Sequence, residues 1–211
     1  MELQAEFDRQ IKNLTDKGFT KFAEISEDKF VKLLLPLRNR LTNMKLPDED
    51  FDKGTLPFVI VVKSHLVSAK KAMNVVERKG NTGVVKLDPL DVGDFQSIDE
   101  VNIPDNFAYL MIYIDRGRET LNVRPKDALT KIRKEGRSPL TIDEGVAIIT
   151  HYPEFLIKNN CFSLLASRTS KDKRVPAIWI NAKGQANLGW CWEGNPHTWL
   201  GSASCKSRVG I

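Results

Sequence analysis

Residues 57–63 read PFVIVVK, and this stretch sets the fold class. Phe, Val, Ile, Val and Val stand in succession, the pattern of a strand covered on both faces. Residues 109–115, YLMIYID, repeat it and close at Arg116-Gly117. Outward toward the N-terminus the texture is helical. Leu3, Phe7, Ile11 and Leu14 fall on one helix face, and Gly18 is a natural stop. Ser26 can cap a second helix whose first turn holds Glu27 and Asp28, where negative charge meets the positive end of the dipole. Pro36 is expected to end, kink or restart that helix. Leu37, Leu41 and Met44 continue the face, and Pro47-Asp48-Glu49-Asp50 is a polar break. The expected organisation is a helical region over 1–50 followed by an α+β domain over 51–211.

Toward the C-terminus, residues 73–77 and 83–87 flank Arg78-Lys79-Gly80-Asn81-Thr82, which suits a hairpin turn; a helix over 69–79 ending at Gly80 fits nearly as well. Pro125 opens a short helix with Ala128, Leu129 and Ile132 on one face and Gly136 beyond its end. Thr141-Ile-Asp-Glu144 is a capping box: the threonine hydroxyl accepts from the amide of Glu144, whose carboxylate returns to the amide of Thr141. Short antiparallel strands are then expected at 162–168, 175–181, 188–193 and 199–204. The fold class is α+β, an N-terminal helical hairpin followed by a mixed domain with an antiparallel C-terminal sheet.

Of 211 residues, 41% are hydrophobic and 28% charged, which supplies a core and excludes disorder throughout. The longest apolar runs have strand length, so no membrane segment is expected. Three cysteines, an odd number, follow a polar start, MELQAEFDRQ, which is no secretory signal. Reduced thiols and a cytoplasmic location are the expectation. The net charge of +5 is mild and unevenly spread. Every charge over 88–105 is negative, whereas over 115–137 eight basic residues, Arg116 to Arg137, outnumber four acidic ones. Residues 125–150 have the outline of a helix-turn-helix. Its second helix, however, has no Arg, Lys, Asn or Gln to read bases, which argues against sequence-specific nucleic acid and leaves weak binding through 116–137.

The chemistry concentrates in residues 188–205, LGWCWEGNPHTWLGSASC, which hold three of the four tryptophans and His197. On a strand, Trp190 and Trp192 share a face and Cys191 takes the other. Small residues beside indoles leave room for a ligand. The leading expectation is a non-catalytic binding module, with a small molecule or protein as partner. Trp190, Trp192, His197 and Trp199 form its site, with Arg168 and Arg174 nearby in sequence. The alternative is a small-substrate enzyme in which His197 or His151 activates Cys191 or Cys205. Cys161, Cys191, His197 and Cys205 offer donors that zinc accepts, but no C-x₂-C pair nucleates a site, so no metal is expected. None of the common nucleotide, hydrolase or zinc-protease fingerprints occurs, and no cofactor is expected. Asp143 and Glu144 are adjacent carboxylates, and the cap accounts for Glu144. His65, after the first strand, reads as a surface histidine.

Three strings, RSPLTIDEGVAI at 137–148, SRTSKDKRVPAIWI at 167–180 and the tail at 188–205, resemble a bacterial family classed as a domain of unknown function. The resemblance runs from about Pro57 to Arg208 and leaves the N-terminal helices more individual. It implies a family label and no reaction, cofactor or catalytic residue.

Overall fold

The computed structural model describes residues 2–211. The chain opens with helices α1 (Leu3–Asp16), α2 (Phe19–Phe22) and α3 (Glu27–Arg40). Strand β1 (Thr55–Val62) and helix α4 (Ala69–Met73) follow, then the short strands β2 (Glu77–Arg78), β3 (Asn81–Thr82), β4 (Val84–Val85) and β5 (Gln96–Ser97). Next come β6 (Ala108–Asp115), α5 (Pro125–Lys134), β7 (Ser138–Pro139) and α6 (Ile142–His151). The chain ends in β8 (Cys161–Ser163), β9 (Ser167–Arg168), β10 (Arg174–Ile180), β11 (Ala186–Trp192), β12 (Leu200–Ser202) and β13 (Ser204–Val209).

The N-terminal helices form the expected hairpin: Gln4 bonds Thr42 and Arg38 pairs with Asp8, contacts that only antiparallel α1 and α3 allow. Ser26 caps α3 by accepting from the amide of Lys29. Of the three outcomes expected at Pro36, an end or a restart does not occur, because α3 runs through it. Phe30, Leu34 and Leu37 are fully buried on its inner face, and that packing outweighs one missing backbone donor.

The first sheet has the order β1-β6-β13-β7, with β1 at an edge. An exposed edge offers unpaired amides and carbonyls. Here α1 covers it: Gln10 accepts from the amide of Ile60 at 2.8 Å and donates to the carbonyl of Phe58 at 3.2 Å, as a neighbouring strand would. His151 bonds the carbonyl of Ile60 through Nε2 at 3.1 Å while Asn13 reaches its Nδ1 at 3.3 Å. A neutral ring that donates from Nε2 and accepts at Nδ1 satisfies both. Burial holds its pKa down at about 3, so this histidine is a structural post and not the general base considered above.

The second sheet has the order β12-β8-β10-β11-β4. Its centre is antiparallel as expected, while its edges, β12 on β8 and β4 on β11, run parallel. The strand expected at 162–168 is two, β8 and β9, and β13 leaves for the first sheet. Residues 69–82 divide between the two readings, a short helix and then the β2–β3 hairpin. Helix α6 packs on β1 and α4 and touches β10. The capping box at its start is present in both directions. Gly145 lets it approach closely, since a Cβ there would lie 2.4 Å from the Leu164 side chain. Among the described residues no helix is long and apolar enough to cross a membrane.

Candidate functional site

The register of β10 on β11 sets Arg174 opposite Trp192, Val175 opposite Cys191 and Trp179 opposite Asn187. Side chains alternate along each strand, so Arg174, Trp190 and Trp192 share one face, and Trp179, Gly189 and Cys191 the other. The Trp190 and Trp192 rings meet edge to face at 5.4 Å. The Arg174 guanidinium, also paired with Asp172, lies 4.2 Å and 4.8 Å from their centroids, a cation over two faces. Trp190 donates its indole N–H to the carbonyl of Asp88 at 3.0 Å.

On the opposite face Trp179 and Trp199 meet at 6.1 Å, and His197 and Trp199 at 5.2 Å. Gly189 makes room for Trp179: a Cβ at 189 would lie 2.2 Å from the tip of that indole. The turn that carries His197 is pinned to the start of α5, because Asn122 donates to the carbonyl of His197 and Lys126 to that of Glu193. These rings, with Cys191, Asn195 and Leu200, line an open depression of about 340 Å³ to which Trp190 and Trp192 also contribute. Beyond Leu188, β11 has no partner on its β4 side, and Trp192 is 39% exposed.

Of the residues singled out in the sequence, Trp190, Trp192, His197 and Trp199 therefore meet around one depression, and Arg174 stacks on two of them. Arg168 does not belong to it. It sits on β9 and pairs with Glu193 at 3.3 Å. Trp179 belongs to the site and escaped the sequence, because only the strand register brings it to the tail.

The thiols are placed differently from one another. Cys191 lines the depression, but its sulfur lies 3.8 Å from the Ser163 hydroxyl, and burial pushes it up to about 11. Burial and then the charge of Glu144 push Cys205, on β13, up to about 12. Cys161 donates to the carbonyl of Ile157. Nucleophilic cysteines need the opposite shift. Among the described residues no three His, Cys, Asp or Glu side chains are grouped to hold a metal ion.

Of the basic stretch only Arg116 is buried; Arg118, Arg124, Lys126, Arg133 and Lys134 stay at the surface, some of them in ion pairs. Arg116 is 1% exposed and donates to the carbonyls of Phe155 and Phe51. Arg133 pairs with Glu100 of the acidic stretch, Arg124 with Asp127, and Arg137 bonds Ser204 and the carbonyl of Tyr113.

A second concavity, of about 580 Å³, opens where β1 ends, between residues 63–70, 91–97 and the start of α6. Beneath it Glu144 is fully buried. It accepts from the Thr141 amide, from the Tyr109 hydroxyl at 2.9 Å and from Arg208. Asp143, which lines the concavity, accepts from the Ser64 amide at 3.0 Å. Burial, then the charge of Glu144, raises its pKa, while Ser64 and His65 pull it down. The sequence signal was the adjacent carboxylates, of which a capping box employs one.

No curated protein and no solved structure matches the chain. A family model described as a family of unknown function (DUF5701) matches residues 13–211, taking in most of the N-terminal helices that the resemblance had left aside. The chain belongs to that family of unknown function.

Proposed function

We propose that this protein is a non-catalytic binding module that seats a flat or apolar group in the aromatic depression of its second sheet. One observation carries the reading: Trp179 and His197 each lean on Trp199, and the three rings border open space instead of closing it. Aromatic walls with a few polar tips are the usual lining of small-ligand sites. The raised thiol of Cys191 favours binding over an enzyme built on Cys191 and His197. Three free, buried cysteines support a reducing location, the cytoplasm of a bacterial cell in keeping with the resemblance.

Four tryptophans give four indole N–H signals by nitrogen-15 NMR, one for each ring concerned. In a titration with indole or p-cresol, the signals of Trp179 and Trp199 shift saturably, and Trp190, tied to Asp88, moves least. Replacement His197→Ala weakens the probe by about tenfold. Signals that drift together without saturating, or do not move, overturn the reading.

A further inference from the structure

We propose that the cleft at the end of β1 is a second ligand site, in which Asp143 reads the ammonium group of a small zwitterion, an apolar amino acid. The inference stands apart from the aromatic depression and starts from two neighbouring carboxylates with unlike surroundings. Glu144 has a guanidinium, a phenol and an amide, and is closed off. Asp143 has only Ser64, through its amide and its hydroxyl, and, among the described residues, no ion-pair partner. The charged and polar groups that face it are Ser64 and His65 from the loop after β1, Tyr109 from β6 and Glu144 on its own helix. Asp143 is half-buried in the wall of the cleft, so its carboxylate is partly screened from water yet still open to a cation that enters there. Such groups gather at functional clefts.

The remainder of the lining suggests what the cation is attached to. The volume, about 580 Å³, is that of small-molecule sites. Lys63 and Lys70 supply positive charge, the former held only by the carbonyl of Pro104 at 3.1 Å and by Asp105 at 4.0 Å. Ser167 accepts from the amide of Ile142, which leaves its own hydroxyl proton to donate to a ligand. Phe95 and Ile103 offer an apolar wall. Paired positive and negative groups beside an apolar wall match a carboxylate, an ammonium and an aliphatic side chain on one small molecule. A polyanion would meet Asp143 and Asp91 in the same space.

Calorimetric titration with three related probes tests this: L-leucine, isoamylamine, which lacks the carboxylate, and 4-methylpentanoate, which lacks the ammonium. Leucine binds best, isoamylamine binds more weakly, and 4-methylpentanoate does not bind. Replacement Asp143→Asn keeps an acceptor for the Ser64 amide, so the fold persists, yet weakens leucine and isoamylamine by about tenfold or more. Carbon-13 NMR of the Asp143 carboxyl in the unaltered protein gives a second readout: its titration moves to lower pH when isoamylamine is bound, as an ion pair requires. No binding of leucine or isoamylamine at about 10 mM overturns the proposal, as does affinity unchanged in Asp143→Asn or a carboxyl titration that ignores the amine.

Discussion

The polar cleft and the aromatic depression both form where strands run out, but they rest on different foundations. Under the cleft lies a closed set of charges, Glu144 with Arg208 and Tyr109, whose ion-paired side chains are 0% and 4% exposed. The aromatic depression is walled by rings that lean on one another beside an unpaired stretch of β11. A side chain's role thus follows from whether its neighbours already satisfy it, and only weakly from its type. Glu144 and Asp143 are adjacent, and the first is closed off by an ion pair while the second is tied to Ser64 and lines the cleft. Trp190 is tied by its N–H, and Trp192 beside it is 39% exposed.

If the cleft has a rigid charged foundation, the largest loss comes from removing one partner of the buried pair. Replacement Glu144→Gln leaves the Arg208 guanidinium facing a neutral amide and costs about 3–5 kcal/mol in urea unfolding. The double variant with Arg208→Met recovers much of that loss, because no charge is then stranded. A Glu144→Gln cost below about 1 kcal/mol breaks the contrast between the two regions.

Acid should reach the α6 side first. His151 has a folded pKa of about 3 against an ordinary value of 6.5, so as pH falls below 6.5 the unfolded chain takes up a proton that the folded one refuses. The stability it contributes is intact above pH 6.5 and is lost as pH falls toward 3. By pH 5 the loss is about 2 kcal/mol. Urea midpoints at pH 7 and 5 check this against His151→Asn, which shows a correspondingly smaller drop between the two.

What was legible in the sequence was local. The capping box needs only residues three apart, and Thr141 and Glu144 bond as their spacing implies. The helix from Pro125, the strands at 57–63 and 109–115 and the clustering of rings in the tail are likewise short-range patterns. The hidden part is long-range. Gln10 seals the edge of β1 across 50 residues, and Arg208 reaches Glu144 across 64. Nothing near Gln10 marks it as different from any other glutamine. Arg168 was attached to the rings by closeness in sequence, yet it meets the tail at Glu193 and not at the depression. Trp179 was missed because its place in the site depends on the register of two strands. Asp143 escaped because a motif that explained its neighbour seemed to explain both.

The smallest expected effect lies on the aromatic side and turns on Trp192. Were this indole core, its truncation would cost about 3–5 kcal/mol, as for other large buried aromatics. It is 39% exposed, and its main contacts are the Trp190 ring and the Arg174 guanidinium, which keep each other and Asp172 when it is gone. Replacement Trp192→Ala therefore costs about 1 kcal/mol, and the thermal midpoint falls by only a few degrees. His197→Ala stays within the same range, since its ring is half-buried and the bond that pins its turn runs through the backbone carbonyl, which alanine retains. Melts of the two variants beside the parent are enough. Should either lose as much as Glu144→Gln, the rings would be foundation like the charges beneath the cleft, and the aromatic depression would be a flaw in packing with no claim to a ligand.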